Sequence, residues 1–367
     1  MKKIKLLIAV TISVLTIFFS VFFFVNEKKE FSETENRYLT EFPKYSFESL
    51  ESGRYIEKIE DYLTDHFPLR DFMMSLKTST YKILGIKEIN EVYIGKDGYL
   101  IEQFKEVKNL DKISNIINKF QDKIGFKINV IFAPTSVSIN EDKLPDFAIN
   151  EDQIETINKF YEKMNTNNID VYKELLKNTN KYQLYYKLDH HWTSYGAYVA
   201  YLEYCNSMRI TPITEYEIKE VTNEFYGTLY SKTNDYSLKP DTIHTFNVKD
   251  SDYTVKYDNN KETNTLYEDS YLDKKDKYSY FLDNNHSLIQ ITNNKVKNNE
   301  EILIIKDSYA NSFVPFIVNH YETVYVIDPR YYKTPISEFI KEKEIDNVLL
   351  LYNMNTINDD LGIISVR

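Results

Sequence analysis

Two short stretches carry the residue types that acyl transfer requires. Asp189-His190-His191-Trp192 places an acid, two imidazoles and an indole side by side, in a chain with only six histidines. Lys306-Asp307-Ser308-Tyr309 follows the apolar run Ile302-Leu303-Ile304-Ile305 and precedes a helix-like stretch. A serine nucleophile needs a base to take its proton, an acid to orient that base, and donors for the oxyanion. If the Asp189 segment is extended, residues two apart share a face. Asp189 and His191 then pair as orienting acid and base, and His190 points elsewhere into a structural role.

Ser308 lies at the carboxyl end of a predicted buried strand, where open α/β sheets bind their ligands. The helix that follows offers backbone N–H groups and a favourable dipole to developing negative charge. Alternatives stay open at this level. Ser308 also reads as a helix N-cap. Asp189, His190 and His191 also read as metal ligands, although adjacent histidines point apart and no HExxH or cysteine-rich spacing completes a set. A purely structural site is a third reading. Arg330, after the strand ending at Ile327, is a candidate anion or acyl-oxygen clamp. Tyr352 and Asn353, after Leu349–Leu351, are candidates for substrate or oxyanion contacts.

Elements of both periods must position these residues. Helical spacing of Ile56, Ile59, Tyr62 and Leu63 predicts a helix stopped by Phe67-Pro68, with a second helix over Arg70–Ile83. Asp97-Gly98 between Val92 and Ile101 predicts a hairpin. Strands are predicted at Lys127–Phe132, Ile169–Tyr172, Ile302–Ile305, Thr323–Ile327 and Val348–Leu351. Helices are predicted at Ile154–Met164, after a Thr193 or Ser194 cap, and at Ala310–Val318 and Ser337–Lys343. This βαβ order implies a mostly parallel sheet covered by helices. Residues 231–300 read as a β-rich insertion, with strands at Ile243–Val248, Tyr253–Tyr257, Tyr278–Leu282 and Leu288–Thr292 and a turn at Asp283-Asn284-Asn285.

At the N-terminus, Lys2, Lys3 and Lys5 precede an uncharged apolar run from Leu6 to Asn26, long enough to span a bilayer. No small-residue cleavage site follows, so residues 1–30 read as an uncleaved signal anchor with the N-terminus inside. Residues 31–367 then form an extracytoplasmic domain. The 367 residues carry a net charge of −11 and no basic cluster, which sets nucleic acid aside. Cys205 is the one cysteine, so no intramolecular disulfide forms, and its apolar setting marks it as core. The 32 tyrosines and 8 glycines, with abundant Asn, Lys and Ile, fit a low-GC bacterial genome.

The chain resembles the DHHW family, related to the SGNH-hydrolase-like proteins of alginate O-acetylation. The matching pieces are Asp189-His190-His191-Trp192-Thr193-Ser194-Tyr195-Gly196-Ala197, the Val92–Leu100 hairpin, Phe225-Tyr226-Gly227-Thr228-Leu229-Tyr230, Asp307-Ser308-Tyr309 and Asp328-Pro329-Arg330-Tyr331-Tyr332. The resemblance implies an SGNH-like α/β fold in permuted order, with Asp189 orienting, His191 as base and Ser308 as nucleophile. It departs from ordinary SGNH enzymes in the extra His190 and in Asp-Ser where they have Gly-x-Ser. It implies O-acetylation of a cell-surface or exported polysaccharide, with a multi-span membrane acyltransferase supplying the acetyl group; from the residues themselves no metal or cofactor is expected. An acetyl esterase with the same triad, or a non-catalytic glycan-binding or scaffold protein of the envelope, is the alternative.

Overall fold

The computed structural model describes residues 2–25, 28–258, 260–359 and 362–366. The chain divides into two compact units, Met1–Ile86 with Ser231–Ser237, and Lys87–Tyr230 with Leu238–Arg367.

The smaller unit is mainly helical, with one short antiparallel pair, Phe31–Ser32 with Arg37–Tyr38. Lys2–Val25 forms one helix with no buried residue, and among the described residues it alone is long and apolar enough to cross a membrane. Asn26, the last residue of the expected span, lies outside the described residues. Helices follow at Phe47–Glu51, Arg54–Asp65 and Arg70–Ile83, the last two as the periodicity predicts. Asp65 ties this unit together. It accepts from Arg37 and, at 2.9 and 2.8 Å, from the Thr40 amide and hydroxyl. Burial alone would raise its pKa; the Arg37 and Thr40 hydrogen bonds outweigh that and hold it at about 2.

The larger unit is built on eight strands: β1 Asn129–Ala133, β2 Asn167–Asn168, β3 Tyr253–Tyr257, β4 Glu262–Thr263, β5 Leu288–Asn293, β6 Glu301–Lys306, β7 Thr323–Ile327 and β8 Val348–Asn353. Their order is β4-β3-β5-β7-β6-β8-β1-β2. The run β7-β6-β8-β1-β2 is parallel throughout, and β5, β3 and β4 add an antiparallel edge. Counted from β6, the parallel part has the doubly wound order 2-1-3-4-5. In the chain, however, its fourth and fifth strands come first, so the permuted order implied by the resemblance is realised.

Strand alternation drives the layering. Ile302 and Ile304 of β6 enter one apolar cluster, with α3 (Ser194–Met208) and α4 (Ala310–Ile317). Leu303 and Ile305 enter the other, with α1 (Leu110–Ile124), α2 (Gln153–Lys163) and α5 (Ile336–Lys343). All four are 0% exposed, and each such side chain contributes about 1.5–3 kcal/mol when fully buried. Cys205 is buried in the first cluster.

Local details differ from the sequence reading at Ile169–Tyr172 and at Tyr278–Leu282. At Ile169–Tyr172 there is no strand; β2 ends at Asn168, Ile169 adds one amide bond to the Val130 carbonyl at 2.9 Å, and Tyr172 opens a helix, its amide bonded at 3.0 Å to the Asp170 carboxylate. At Tyr278–Leu282 the β propensity of the aromatics is overridden: Lys277–Tyr280 is a 3₁₀ turn that buries Tyr278 and Tyr280. Leu282, Asp283 and Asn284 all have positive φ, which makes the turn expected at Asp283-Asn284-Asn285. Within residues 231–300, Ser231–Ser237 belong to the smaller unit, Asp241–Asn247 pairs with Glu217–Phe225, and β3, β4 and β5 extend the central sheet.

Candidate active site

Ser308 is set where the sheet changes winding direction. It follows β6, next to β8, the strand pair flanking the switch point of this topology. Asp307 straps these strand ends together: one oxygen accepts from the Tyr309 amide at 2.9 Å, the other from the Asn353 amide and side chain at 2.7 Å each. From Ile302 to Val318 every residue is buried except Ser308, which alone reaches the surface. Among the described residues, no hydrogen-bond acceptor engages the Ser308 amide, so this N–H is available to an oxyanion.

The Asp189–Trp192 segment approaches from the other side. It is not extended. Tyr185 and Trp192 form an isolated antiparallel bridge, and the residues between them make a tight bend. Asp189 and His191 meet because Asp189 Oδ1 accepts the His191 amide at 3.0 Å, an Asx-type turn. The same oxygen lies 2.6 Å from His191 Nδ1, and His191 Nε2 lies 2.8 Å from Ser308 Oγ. Asp189 Oδ2 accepts from the Thr228 amide at 2.8 Å and its hydroxyl at 3.1 Å. With Nδ1 donating to the carboxylate, Nε2 is left as acceptor for the serine proton.

Close packing locks this geometry. A Cβ added to Gly227 would lie 2.3 Å from Asp189 Cβ and Oδ2, and one at Gly196 would lie 2.3 Å from the Leu184 carbonyl oxygen. Both glycines therefore admit a backbone that nothing larger could accompany. Trp192 is 0% exposed and donates from Nε1 to the Tyr309 carbonyl at 2.9 Å and the Ser312 hydroxyl at 3.0 Å, joining the two halves of the site. Thr193 is the cap of α3.

The electrostatics divide the roles. Burial would raise Asp189, but the neighbouring histidines and hydrogen bonds overcome it and hold the carboxyl well below the carboxylate range. Burial, reinforced by repulsion from His190, pushes His191 down to about 4. At neutral pH the pair is thus a carboxylate beside a neutral imidazole, the state a general base needs.

Asp189, His190 and His191 bring ligand-type atoms within 4.8 Å of one another. Those of Asp189 and His191 are engaged with each other, Thr228 and Ser308, and His190 Nδ1 lies 2.7 Å from Thr228 Oγ1. Of the other candidates, Arg330 forms a bidentate pair with Asp328 at 2.9 and 2.6 Å. Asn353 is buried, its side-chain amide bonded to Asp307 and to Thr356 at 2.6 Å. Tyr352 is fully buried in the second core cluster. The structure therefore brings Asp189, His191 and Ser308 together, and does not place Tyr352 or the Asn353 amide at Ser308 Oγ.

Three contributors escape sequence reasoning. Tyr278 stacks on His191, with ring centroids 3.6 Å apart and planes at 10°. Thr228 supports the carboxylate; its place in the Tyr-Gly-Thr motif was its only signal. Lys306 is wholly buried, its ammonium held by Asn285 at 2.6 Å and Asn311 at 2.7 Å, and burial lowers it to about 8.

A family model described as DHHW protein matches residues 89–327, which contain Asp189, His191, Thr228, Tyr278 and Ser308; Asp328, Arg330 and Asn353 lie beyond it. The chain belongs to the DHHW family. A DHHW family protein from Eubacterium siraeum is 25% identical and superposes with a TM-score of 0.67, over 76% of this chain and 96% of that one. Bacillus cereus PatB1, solved with a sulfonyl adduct, gives 19% identity and a TM-score of 0.60, over 74% and 97%. The O-acetyltransferase domain of AlgJ from Pseudomonas putida gives 13% and 0.46, over 73% and 92%. No curated protein matches.

Proposed function

We propose that this DHHW protein is a membrane-anchored, extracytoplasmic O-acetyltransferase that modifies a cell-surface or exported polysaccharide. The observation that carries the reading is the chain of short hydrogen bonds from Asp189 through His191 to the one surface-reaching residue of a buried run, Ser308. In the first half-reaction Ser308 Oγ attacks the acetyl carbonyl and passes its proton to His191 Nε2. The Ser308 amide receives the oxyanion, and the leaving group departs with the proton. In the second, a sugar hydroxyl gives its proton to His191 and attacks the serine ester; Ser308 Oγ leaves and recovers that proton.

The anchor reading rests on the apolar Lys2–Val25 helix and the lysines before the apolar run, which favour the N-terminus inside. The family resemblance supports the polysaccharide acceptor and a multi-span acyltransferase as acetyl supplier. The sulfonyl adduct of PatB1 suggests a practical probe, because an activated serine oxygen attacks the sulfur of a sulfonyl fluoride, forming a sulfonyl ester as fluoride leaves.

The test uses the full chain in detergent with p-nitrophenyl acetate, followed by intact mass. A nitrophenol burst with an acetyl adduct on Ser308, absent from Ser308→Ala and His191→Ala, is expected. Addition of bacterial polysaccharide fragments is then expected to discharge the adduct onto sugar. Discharge to water alone in their presence would instead identify an esterase, and no adduct in folded protein would leave a non-catalytic role.

A further inference from the structure

The region between Trp192 and β6 does more than extend the sheet. It delivers Tyr278 to the face of His191, and this ring is the tightest aromatic contact the imidazole makes. His190 lies 3.8 Å from the same imidazole with its plane at 38°. Two rings that near one imidazole cannot share a face, so His191 is held between them. Tyr278 is itself fixed at its far end. Its hydroxyl donates to the Ser308 carbonyl at 3.1 Å and meets the Ser312 hydroxyl at 3.1 Å, which also accepts from Trp192 Nε1. One side chain thereby touches both the base and the backbone of the nucleophile.

We infer that Tyr278 is a positioning residue for His191: its ring fixes the imidazole plane with Nε2 aimed at Ser308 and keeps water off that face. The inference rests on the proposed Ser308–His191 chemistry. An imidazole free to rotate about its side-chain torsions loses the 2.8 Å contact on which proton transfer depends, and misplacement by an ångström costs about 100-fold. Shielding acts in the same direction, since a dry face disfavours the charged ring. The groups facing His191 are Asp189 and His190 from its own segment, Tyr278, Ser308 and Tyr309, with Arg330 adding positive potential. Only Asp189 favours protonation, so removing the Tyr278 ring admits water and lets the imidazole titrate nearer its ordinary value.

The experiment compares the full chain with Tyr278→Phe and Tyr278→Leu in detergent. Burst rate with p-nitrophenyl acetate is measured alongside the His191 titration by nitrogen-15 NMR, with unfolding midpoints as the folding control. Tyr278→Leu is expected to lower the burst rate about 100-fold and to move the His191 titration upward from about 4 toward 6.5. Tyr278→Phe, which keeps the stack, is expected to retain the rate within about threefold and an unmoved titration. A leucine variant that matches wild type in both readouts overturns the inference, as does a phenylalanine variant as damaged as leucine. Tyr278→Met replaces leucine if that variant is unfolded. Absence of any adduct on wild-type Ser308 would defeat the proposed function, whereas the titration judges the role of Tyr278 without turnover.

Discussion

Two aspartates flank the reacting atoms, and both are almost wholly removed from solvent, at 2% and 0% exposure, yet their protons behave in opposite ways. Asp189 is held ionised: burial opposes its charge, but two histidines and the Thr228 donors overcome it. Asp307, adjacent to Ser308, is raised to about 6, because burial dominates over the donors of Asn353 and Tyr309 and the charges of Arg330 and Lys306. The first supplies charge to a base; the second supplies acceptors to a strap. Burial alone therefore does not identify a catalytic carboxylate; what it faces decides.

The largest test of that contrast is Asp189→Asn. An amide keeps the shape but removes the charge that fixes the His191 tautomer, and a loss of about 10⁴-fold in burst rate is expected. A loss under about tenfold would remove Asp189 from its role. Gly227→Ala reaches the same carboxylate sterically. Its Cβ would fall 2.3 Å from Asp189, so the acid must shift, and about 100-fold loss is expected with the fold retained by circular dichroism.

Asp307→Asn acts on the strap. Both carboxylate oxygens accept from backbone or side-chain N–H groups, so whichever way the amide turns, its NH₂ faces a donor. Urea denaturation is expected to show a loss of about 1–3 kcal/mol. This loss should depend on pH. Asp307 binds its proton to about pH 6 in the folded chain against 3.8 ordinarily, so its contribution is full below pH 4 and is lost as pH rises through 6. The gap corresponds to about 3 kcal/mol. Asp241, also raised to about 6 by burial, acts with the same sign, so the difference between wild type and variant is the quantity to follow. A difference independent of pH from 4 to 8 would contradict the assignment.

The smallest expected effect is the pH profile of wild type. With His191 at about 4, the burst rate at pH 5 should stay at about 90% of its plateau, where an ordinary imidazole would leave a few per cent. A midpoint near 6.5 would place His191 in a wetter, less confined setting.

Much of this site is legible in the sequence, for uneven reasons. Ser308 is readable because a buried β-branched run ends there and a helix begins, a local signal. Asp189 and His191 are readable from their spacing, although the pairing arises from an Asx-type turn and not from an extended strand. Four of the parallel strands are visible as apolar runs, whereas the edge strand Asn167–Asn168 is polar and carries no such signal. Tyr278 was hidden because its aromatic neighbours read as a strand, whereas the chain spends those rings on His191 and on the core. Lys306 and Asp307 were readable as polar residues after a strand, but their burial depends on Asn285, Asn311 and Asn353 arriving from distant elements. The oxyanion candidate Asn353 illustrates the same limit. Its place at the sheet edge was legible, while its engagement with Asp307 is a tertiary fact.

The central claim is that His191 activates Ser308, and covalent capture tests it most directly. The full chain in detergent is treated with phenylmethanesulfonyl fluoride at pH 7, digested, and mapped by mass spectrometry. The account predicts a sulfonyl group on Ser308 in wild type and its loss in His191→Ala. Equal labelling of Ser308 in the two proteins, or labelling confined to another residue, would contradict it.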